Sequence, residues 1–270
     1  MTRLQDKTIV VTGASGLLGV QHVLAVLSQE GSAVLLDLNA GKMEKFISGL
    51  PPELQKRVLP IECDITSESE VMQALEISKS KFRKISGLVN NAAINPSVEK
   101  NQHRFERLEN LKFETWQEEL NVGLWGAINC SRIFASHMIQ QKIEGSIVNV
   151  SSDHGLVSPN QDLYRIDGLA DANQPVKPVT YSVIKHGMIG LTKYLATYWA
   201  RNGLRVNTLC PGGVLNNQNE EFIRRVNNLI PMGRLAYPNE YQGALIYLLS
   251  EESSYMTGST MVVDGGRTVW

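Results

Sequence analysis

The chain has 270 residues, 43% of them hydrophobic, and a formal net charge of −1 at pH 7. The near balance of 26 basic against 27 acidic residues, with no basic block, argues against a nucleic-acid partner. No apolar run reaches the roughly 18 residues of a membrane span, and the apolar run near the start is short and broken by glycine, so we expect a cytoplasmic protein without a signal peptide or membrane partner.

Short apolar runs recur along the whole chain and predict strands that are buried on both faces. The predicted strands are 8–12, 32–38, 58–65, 85–93, 145–152, 204–211 and 260–264. Between them, apolar residues at helical spacing, or a cap such as Ser67 with Glu70 three positions later, predict helices. The predicted helices are 17–29, 67–82, 114–140, 180–201 and 240–249.

This alternation of strands and helices predicts an α/β fold with a doubly wound parallel sheet of about seven strands. Since the alternation never breaks, we expect residues 1–270 to form a single domain. Two segments do not fit the pattern: 95–112 is polar and charged, and 158–179 is rich in Pro, Asn, Asp and Gly. Long irregular connections are often binding loops. We therefore predict that 158–179 is a substrate-side insertion, with a surface excursion or an oligomer contact as the alternative.

The stretch TGASGLLG opens the first predicted helix directly after the first predicted strand, with glycines at Gly13, Gly16 and Gly19. Glycine lets the backbone approach a pyrophosphate, and the helix N-terminus offers unpaired N–H groups to the anion. Asp37 ends the second predicted strand, where a carboxylate can bind the ribose 2′-OH of NAD and repel the 2′-phosphate of NADP. The sequence therefore favours NAD(H) over NADP. The alternative is a glycine turn that binds nothing.

A second group of residues has the chemistry of proton transfer. Tyr181 and Lys185 in YSVIK are four residues apart and share a face of a predicted helix. A phenol has a pKa near 10, and a neighbouring ammonium lowers that pKa by favouring the phenolate. Ser152 ends a predicted strand, so its hydroxyl should emerge at the carboxyl edge of the sheet, where ligands bind in such folds. His154 is interpreted as a loop residue.

No metal site is predicted. Cys63, Cys130 and Cys210 lie far apart and have no histidine at ligand spacing, so we expect three free, buried thiols.

Together these motifs resemble the short-chain dehydrogenase/reductase family, in its short single-domain branch, over essentially the whole chain. The resemblance also includes Asn90 to Ala93 (NNAA), Pro211-Gly212 and MVVDGG near the end. It implies a Rossmann-type fold with Tyr181 as general acid/base, Lys185 lowering its pKa and holding the nicotinamide ribose, Ser152 positioning the substrate oxygen, and Asn121 anchoring a proton-relay water. The cofactor contacts that it implies are Gly13, Ser15, Gly16, Leu18, Gly19, Asp37, Asp64, Ile65, Asn91, Ala92, Tyr181, Lys185, Pro211, Gly212, Val214 and Asn216.

The sequence departs from the family pattern at four places. Leu17 stands where the short branch has glycine, and the resulting spacing resembles the branch that acts on sugar nucleotides. Ala93 replaces a glycine, and Asn216 stands in for a threonine that usually follows the Pro-Gly turn. The connection between Ser152 and Tyr181 is longer than usual, and it carries Tyr164, Arg165, Asp167, Asp171 and Asn173.

The resemblance implies an NAD(H)-dependent oxidoreductase that moves a hydride between the nicotinamide and a secondary alcohol or ketone. Similarity to surface-sugar and flagellin-modification dehydrogenases favours a small polar substrate such as a sugar. The alternatives are a sugar-nucleotide epimerase or dehydratase with tightly held NAD, and a non-catalytic dinucleotide-binding protein. The family also implies a homo-oligomer, dimer or tetramer, joined through helices 114–140 and 180–201, and we hypothesise that Trp270, with Arg267, reaches a neighbouring subunit.

Overall fold

The computed structural model describes residues 2–94 and 107–270, which contain a seven-stranded sheet. All neighbouring strands are parallel, in the order β3-β2-β1-β4-β5-β6-β7. The strands are β1 Thr8–Thr12, β2 Ser32–Asp37, β3 Val58–Glu62, β4 Ile85–Asn90, β5 Gly145–Val150, β6 Leu204–Pro211 and β7 Thr260–Val263. The predicted Rossmann-type α/β fold, with one doubly wound sheet, is thus confirmed.

Helices cover both faces of the sheet. They are α1 Leu17–Ser28, α2 Ala40–Ser48, α3 Pro52–Gln55, α4 Glu68–Lys81, α5 Phe113–Leu120, α6 Gly126–Gln140, α7 Val179–Trp199, α8 Glu220–Asn227 and α9 Gln242–Leu249. A π-helical turn, Asn121–Trp125, joins α5 to α6. None of the helices in the described ranges is both long and apolar enough to cross a bilayer.

Two apolar cores lie on opposite faces of the sheet, as strand alternation requires. In β1, Ile9 and Val11 belong to the core that α1 and α9 cover, whereas Val10 faces the core under α4, α6 and α7. All five residues of β1 are buried. Because neighbouring strands are parallel, the carboxyl ends of β1, β4, β5 and β6 lie along one edge of the sheet. The three cysteines are free and buried, as predicted.

Several element boundaries differ from the sequence prediction. The predicted strands 58–65 and 85–93 end earlier, at Glu62 and Asn90, and the short helices α2, α3 and α8 were not predicted. These helices bury few side chains; in α8 only Val226 is buried. They are nine, four and eight residues long, and segments this short span too few helical turns for apolar periodicity to reveal them.

The predicted helix 114–140 is two helices with a π turn between them. The turn lies where glycines allow close packing: a Cβ at Gly123 would lie 2.6 Å from Cγ2 of Ile184 in α7, and one at Gly126 would lie 2.5 Å from Cδ1 of Ile65. The π turn between α5 and α6 therefore coincides with close packing against α7 and Ile65.

The segment 158–179 contains only two 3-10 turns, at Gln161–Tyr164 and Asp171–Asn173. Buried Gln174 accepts a hydrogen bond from the Ile166 backbone and donates to the carbonyls of Ile166 and Leu169. Of the other irregular segment, 95–112, residues 95–106 lie outside the described ranges; the rest holds the 3-10 turn Leu108–Asn110.

Candidate active site

A cavity of about 550 Å³ opens at the carboxyl ends of the central strands. It joins the glycine loop after β1 to the segments that follow β4, β5 and β6 and to the first turns of α7. The sequence-predicted residues that line it are Gly13, Ser15, Gly16, Leu18, Asp37, Asn91, Ala92, Ser152, Tyr181, Lys185, Pro211, Gly212, Val214 and Asn216.

Close packing within the chain determines the conformation of the glycine loop. Gly13 has a φ of +62°, and a Cβ there would lie 2.8 Å from Cα of Ala92. Beneath the loop, a Cβ at Gly19 would lie 2.1 Å from the Gly13 carbonyl oxygen. The loop therefore needs glycine at both positions, and it leaves the N-terminus of α1 directed at the cavity.

Two side chains hold the loop against neighbouring strands. Asp37 accepts a hydrogen bond from the Ser15 backbone N–H at 2.9 Å and a second from the Asn39 N–H at 3.0 Å. The Asn91 amide donates to the carbonyls of Thr12 and Gly13, at 3.0 and 3.1 Å. Both residues thus have a structural role beside any contact with a cofactor.

Ser152, Tyr181 and Lys185 meet on the opposite wall of the cavity. Ser152 lies just beyond β5, close enough to Tyr181 for its hydroxyl to lower the pKa of the phenol. The ammonium of buried Lys185 donates to the Val150 carbonyl at 2.9 Å and lies 5.6 Å from the centroid of the Tyr181 ring. The four-residue spacing in α7 therefore does bring the phenol and the ammonium onto one face, next to the serine hydroxyl.

Burial dominates the proton affinities at this wall. It raises the pKa of Tyr181 to about 12, while the Ser152 hydrogen bond lowers that pKa and the Asp153 carboxylate raises it. Burial also lowers the pKa of Lys185 to about 8. The phenol therefore holds its proton at neutral pH, ready to donate it.

Four predicted site residues do not line the cavity. Gly19 packs beneath the loop, and Ile65 packs into the core under α4 and α6. The Asp64 carboxylate accepts hydrogen bonds from the backbone and hydroxyl of Thr66. Asn121 is exposed, because Gly123 and Leu124 of the same π turn are the residues that pack on α7.

Sequence reasoning missed two charged residues of the site, Asp153 and Lys177. Ser152 donates a 2.6 Å hydrogen bond to the buried Asp153 carboxylate, which also accepts one from the His154 backbone. The Lys177 ammonium lies 3.9 Å from the centroid of the Tyr181 ring. Burial lowers the pKa of Lys177 to about 8, although the carboxylates of Asp153 and Glu119 raise it. A signal existed: Lys177, Tyr181 and Lys185 follow one another at four-residue spacing.

His154, interpreted as a loop residue, also lines the cavity. Its ring stands edge-on to that of Tyr181, with centroids 6.1 Å apart. Burial lowers its pKa, while Asp153 raises it. The imidazole is therefore neutral near pH 7.

The segment 158–179 contributes Leu163, Tyr164 and Lys177 to the cavity lining. Its other polar residues are engaged elsewhere: Arg165 pairs with Asp171 at 2.6 Å, and Arg225 of α8 lies 3.7 Å from Asp167 and donates to the Arg165 carbonyl. Asn173 is exposed and lies outside the lining. The segment is therefore fastened to α8 and reaches the cavity mainly with one aromatic and one basic side chain.

The C-terminal tail contacts its own chain, and the hypothesis that it also reaches a neighbouring subunit stays a prediction. The Trp270 indole donates to the Leu229 carbonyl of its own chain at 3.2 Å, and Arg267 lines the cavity. Within the described residues, no group of three or more His, Cys, Asp or Glu side chains is arranged to hold a metal ion.

Two family models match the chain. One, described as short chain dehydrogenase, covers residues 7–164, and one described as Enoyl-(Acyl carrier protein) reductase covers residues 169–268. A post-translational flagellin modification protein A of Campylobacter coli is 32% identical, over 97% of this chain and 98% of its own length. The NADH-dependent L-xylulose reductase of Ambrosiozyma monospora is 30% identical, over 99% and 97%.

Solved structures agree with these matches. The crystal structure of a short chain dehydrogenase from Leptospira borgpetersenii with bound NAD⁺ superposes with a TM-score of 0.84, at 28% identity, over 98% of this chain and 94% of that one. A putative gluconate dehydrogenase from Agrobacterium tumefaciens has a TM-score of 0.83, at 25% identity, over 100% and 98%.

Proposed function

This chain belongs to the short-chain dehydrogenase/reductase family of oxidoreductases, and on that premise we propose that it uses NAD(H) to interconvert a secondary alcohol and a ketone on a polar substrate such as a sugar. The observation that carries the proposal is the meeting of Ser152, Tyr181 and Lys185 across one cavity from the glycine loop. A protein that only bound a dinucleotide would not need this wall, because the phenol, the ammonium and the serine hydroxyl serve proton transfer.

The residues of the loop fit a dinucleotide. Gly13 and Gly16 line the cavity with bare backbone, and a side chain at Gly13 would collide with Ala92. The helix that follows adds its N-terminal N–H groups, which suit a pyrophosphate. Asp37 would take the ribose hydroxyls, and Lys185 would take those of the nicotinamide ribose. Pro211 and Gly212, at the end of β6, would flank the nicotinamide, which supplies or accepts the hydride when bound.

The remaining chemistry belongs to side chains of this chain. In the reductive direction Tyr181 donates its phenolic proton to the carbonyl oxygen of the substrate, and in the oxidative direction it takes the proton of the hydroxyl. Ser152 has a rotatable hydroxyl, now directed at Asp153, that can donate to the same substrate oxygen and polarise it. The Lys185 ammonium stabilises the phenolate that forms as the proton leaves.

A polar substrate is supported by the charged and polar groups around Tyr181. Asp153, His154 and Lys177 all line this half of the cavity, and such groups match hydroxyl-rich ligands better than an acyl chain or a steroid. The names of two relatives, the flagellin modification protein and the L-xylulose reductase, point the same way.

The test is a screen of sugars and sugar derivatives with NAD⁺, followed by absorbance at 340 nm, and then a comparison with Tyr181→Phe. We expect the variant to bind NAD⁺ as tightly as the parent and to lose turnover by a factor of about 10² to 10⁴, the usual contribution of one acid/base group. The matched control is Tyr194→Phe, an exposed tyrosine of the same helix, which should keep full activity.

Retained turnover in Tyr181→Phe would show that the proton passes through another group. Product formation without net change at 340 nm would instead support an epimerase or dehydratase that recycles its NAD.

A further inference from the structure

The half of the cavity beside Tyr181 carries two cations that the mechanism does not use. Arg267 lines it from the C-terminal tail, and Lys177 lines it from the end of the segment 158–179. Both cations lie close enough to His154 to lower its pKa. Two parts of the chain that are far apart in sequence therefore place positive charge in the same region of the cavity.

The tail is fixed on both sides of Arg267. The Asp264 carboxylate accepts hydrogen bonds from the backbones of Gly266 and Thr268, at 2.9 and 2.8 Å, and the Gly265 carbonyl accepts one from Met232. Gly265 and Gly266 have φ values of +65° and +88°, which favour glycine and allow the chain to turn back. With Trp270 bound to its own chain, these contacts hold Arg267 at the cavity.

Arg267 is partly buried, and among the described residues its guanidinium has no hydrogen bond or ion pair with the protein. A guanidinium presents five donors in a planar fork that matches a carboxylate or phosphate. The Asp153 carboxylate lines the same cavity, but it already accepts hydrogen bonds from Ser152 and His154. The donors of Arg267 are therefore available to a ligand.

Lys177 is fixed by its backbone. Its N–H donates to the Gln161 side chain at 2.8 Å, its carbonyl accepts from the same amide at 3.4 Å, and Pro178 restricts it to extended geometry. The ammonium lies 3.9 Å from the Tyr181 ring centroid. A substrate group that reached Lys177 would thus be close to the reacting oxygen.

We propose that Arg267 and Lys177 form a subsite for an anionic group, a carboxylate or a phosphate, carried by the substrate. This inference rests on the proposed function, since it assigns a class to the substrate of that same reaction. Arg267 is the specificity-determining residue, and Lys177 adds the second charge.

The experiment measures binding without turnover, so that its result is separate from that of Tyr181→Phe. The NAD⁺-saturated full chain is titrated calorimetrically with D-glucose, D-gluconate and D-glucose 6-phosphate, which share one carbon skeleton. We expect at least one of the two anions to bind about tenfold more tightly than D-glucose, which is the usual gain from a hydrogen bond to a charged group. The preferred anion distinguishes a carboxylate substrate from a phosphate substrate.

Arg267→Met should abolish this advantage, and Lys177→Met should reduce it. The matched control is Arg165→Met, because Arg165 belongs to the same rim but pairs with Asp171 outside the cavity lining. The inference is overturned if neither anion binds more tightly than D-glucose, or if the advantage survives Arg267→Met. It is also overturned if Arg267→Met weakens NAD⁺ binding instead, because the guanidinium would then serve the phosphates of the cofactor.

Discussion

We propose that Asp37 is the residue that selects between NAD and NADP. Its carboxylate lines the cavity and at the same time accepts hydrogen bonds from Ser15 and Asn39. A charge at this place disfavours the 2′-phosphate of NADP while offering acceptors to the two ribose hydroxyls of NAD. The preference for NAD remains a proposal, and a change that removes the charge but keeps the shape can test it.

We expect Asp37→Asn to raise the ratio of kcat/KM for NADP to that for NAD by about tenfold or more, because the like-charge repulsion is lost. Steady-state rates with both cofactors provide the measurement. Glu62→Gln is the matched control, since Glu62 faces Asp37 in the strand register but lies outside the cavity lining. An unchanged ratio in Asp37→Asn would place cofactor selection elsewhere.

His22 is buried in α1, and burial lowers its pKa to about 4, from the ordinary value near 6.5. The unfolded chain therefore binds a proton between pH 6.5 and 4 that the folded chain does not bind. We expect the free energy of unfolding to fall by up to about 1.4 kcal/mol per pH unit over this window as the pH decreases. Denaturant unfolding of the parent and of His22→Leu should show the steeper slope in the parent, because His154, whose pKa burial also lowers, still titrates in the variant. Equal slopes would contradict the prediction.

At the scale of elements, the first strand, the glycine loop and α1 form one unit whose geometry depends on backbone contact. The loop approaches both Ala92 and its own helix so closely that side chains at Gly13 and Gly19 have no room. Asn91 ties the same loop to β4. The loop is thus preorganised by the fold, which reduces the ordering that a bound dinucleotide would require.

Gly19→Ala should destabilise the protein by about 1 to 3 kcal/mol, because the added methyl group meets the Gly13 carbonyl and forces the loop to move. Gly190→Ala is the control: Gly190 lies in α7, where an added Cβ would meet no atom within 4 Å beyond the neighbouring backbone of its own helix, and alanine there should stabilise the helix by about 0.5 to 1 kcal/mol. Denaturant unfolding measures both. Equal effects would mean that the loop contact is unimportant.

At the scale of the whole molecule, α7 presents an aromatic pair to solvent. Tyr194 and Tyr198 stack with ring centroids 5.7 Å apart and are 63% and 64% exposed. Exposed aromatic side chains on one face are typical of protein–protein contacts. They support our proposal that copies of this chain associate through α7 and the region of α5 and α6.

The double variant Tyr194→Lys/Tyr198→Lys should therefore have a lower mass in solution than the parent, because facing copies would bring lysines together and lose aromatic burial. Light scattering after gel filtration measures that mass. Tyr255→Lys, at a fully exposed position outside α7, should leave it unchanged. A parent chain that is already monomeric, or a variant of unchanged mass, would reject this interface.

The sequence by itself determined the parallel sheet, the glycine loop and the group of Ser152, Tyr181 and Lys185. These features rest on short-range patterns, namely apolar strands, the conformational freedom of glycine and four-residue helical spacing. Such patterns can be recognised without knowing how distant segments pack. Only the tertiary structure decided that Asn121 is exposed outside the cavity lining and that Arg267 belongs to that lining. Those outcomes depend on contacts between distant segments, such as Gly123 with Ile184 and the tail with Leu229, and no local pattern encodes them.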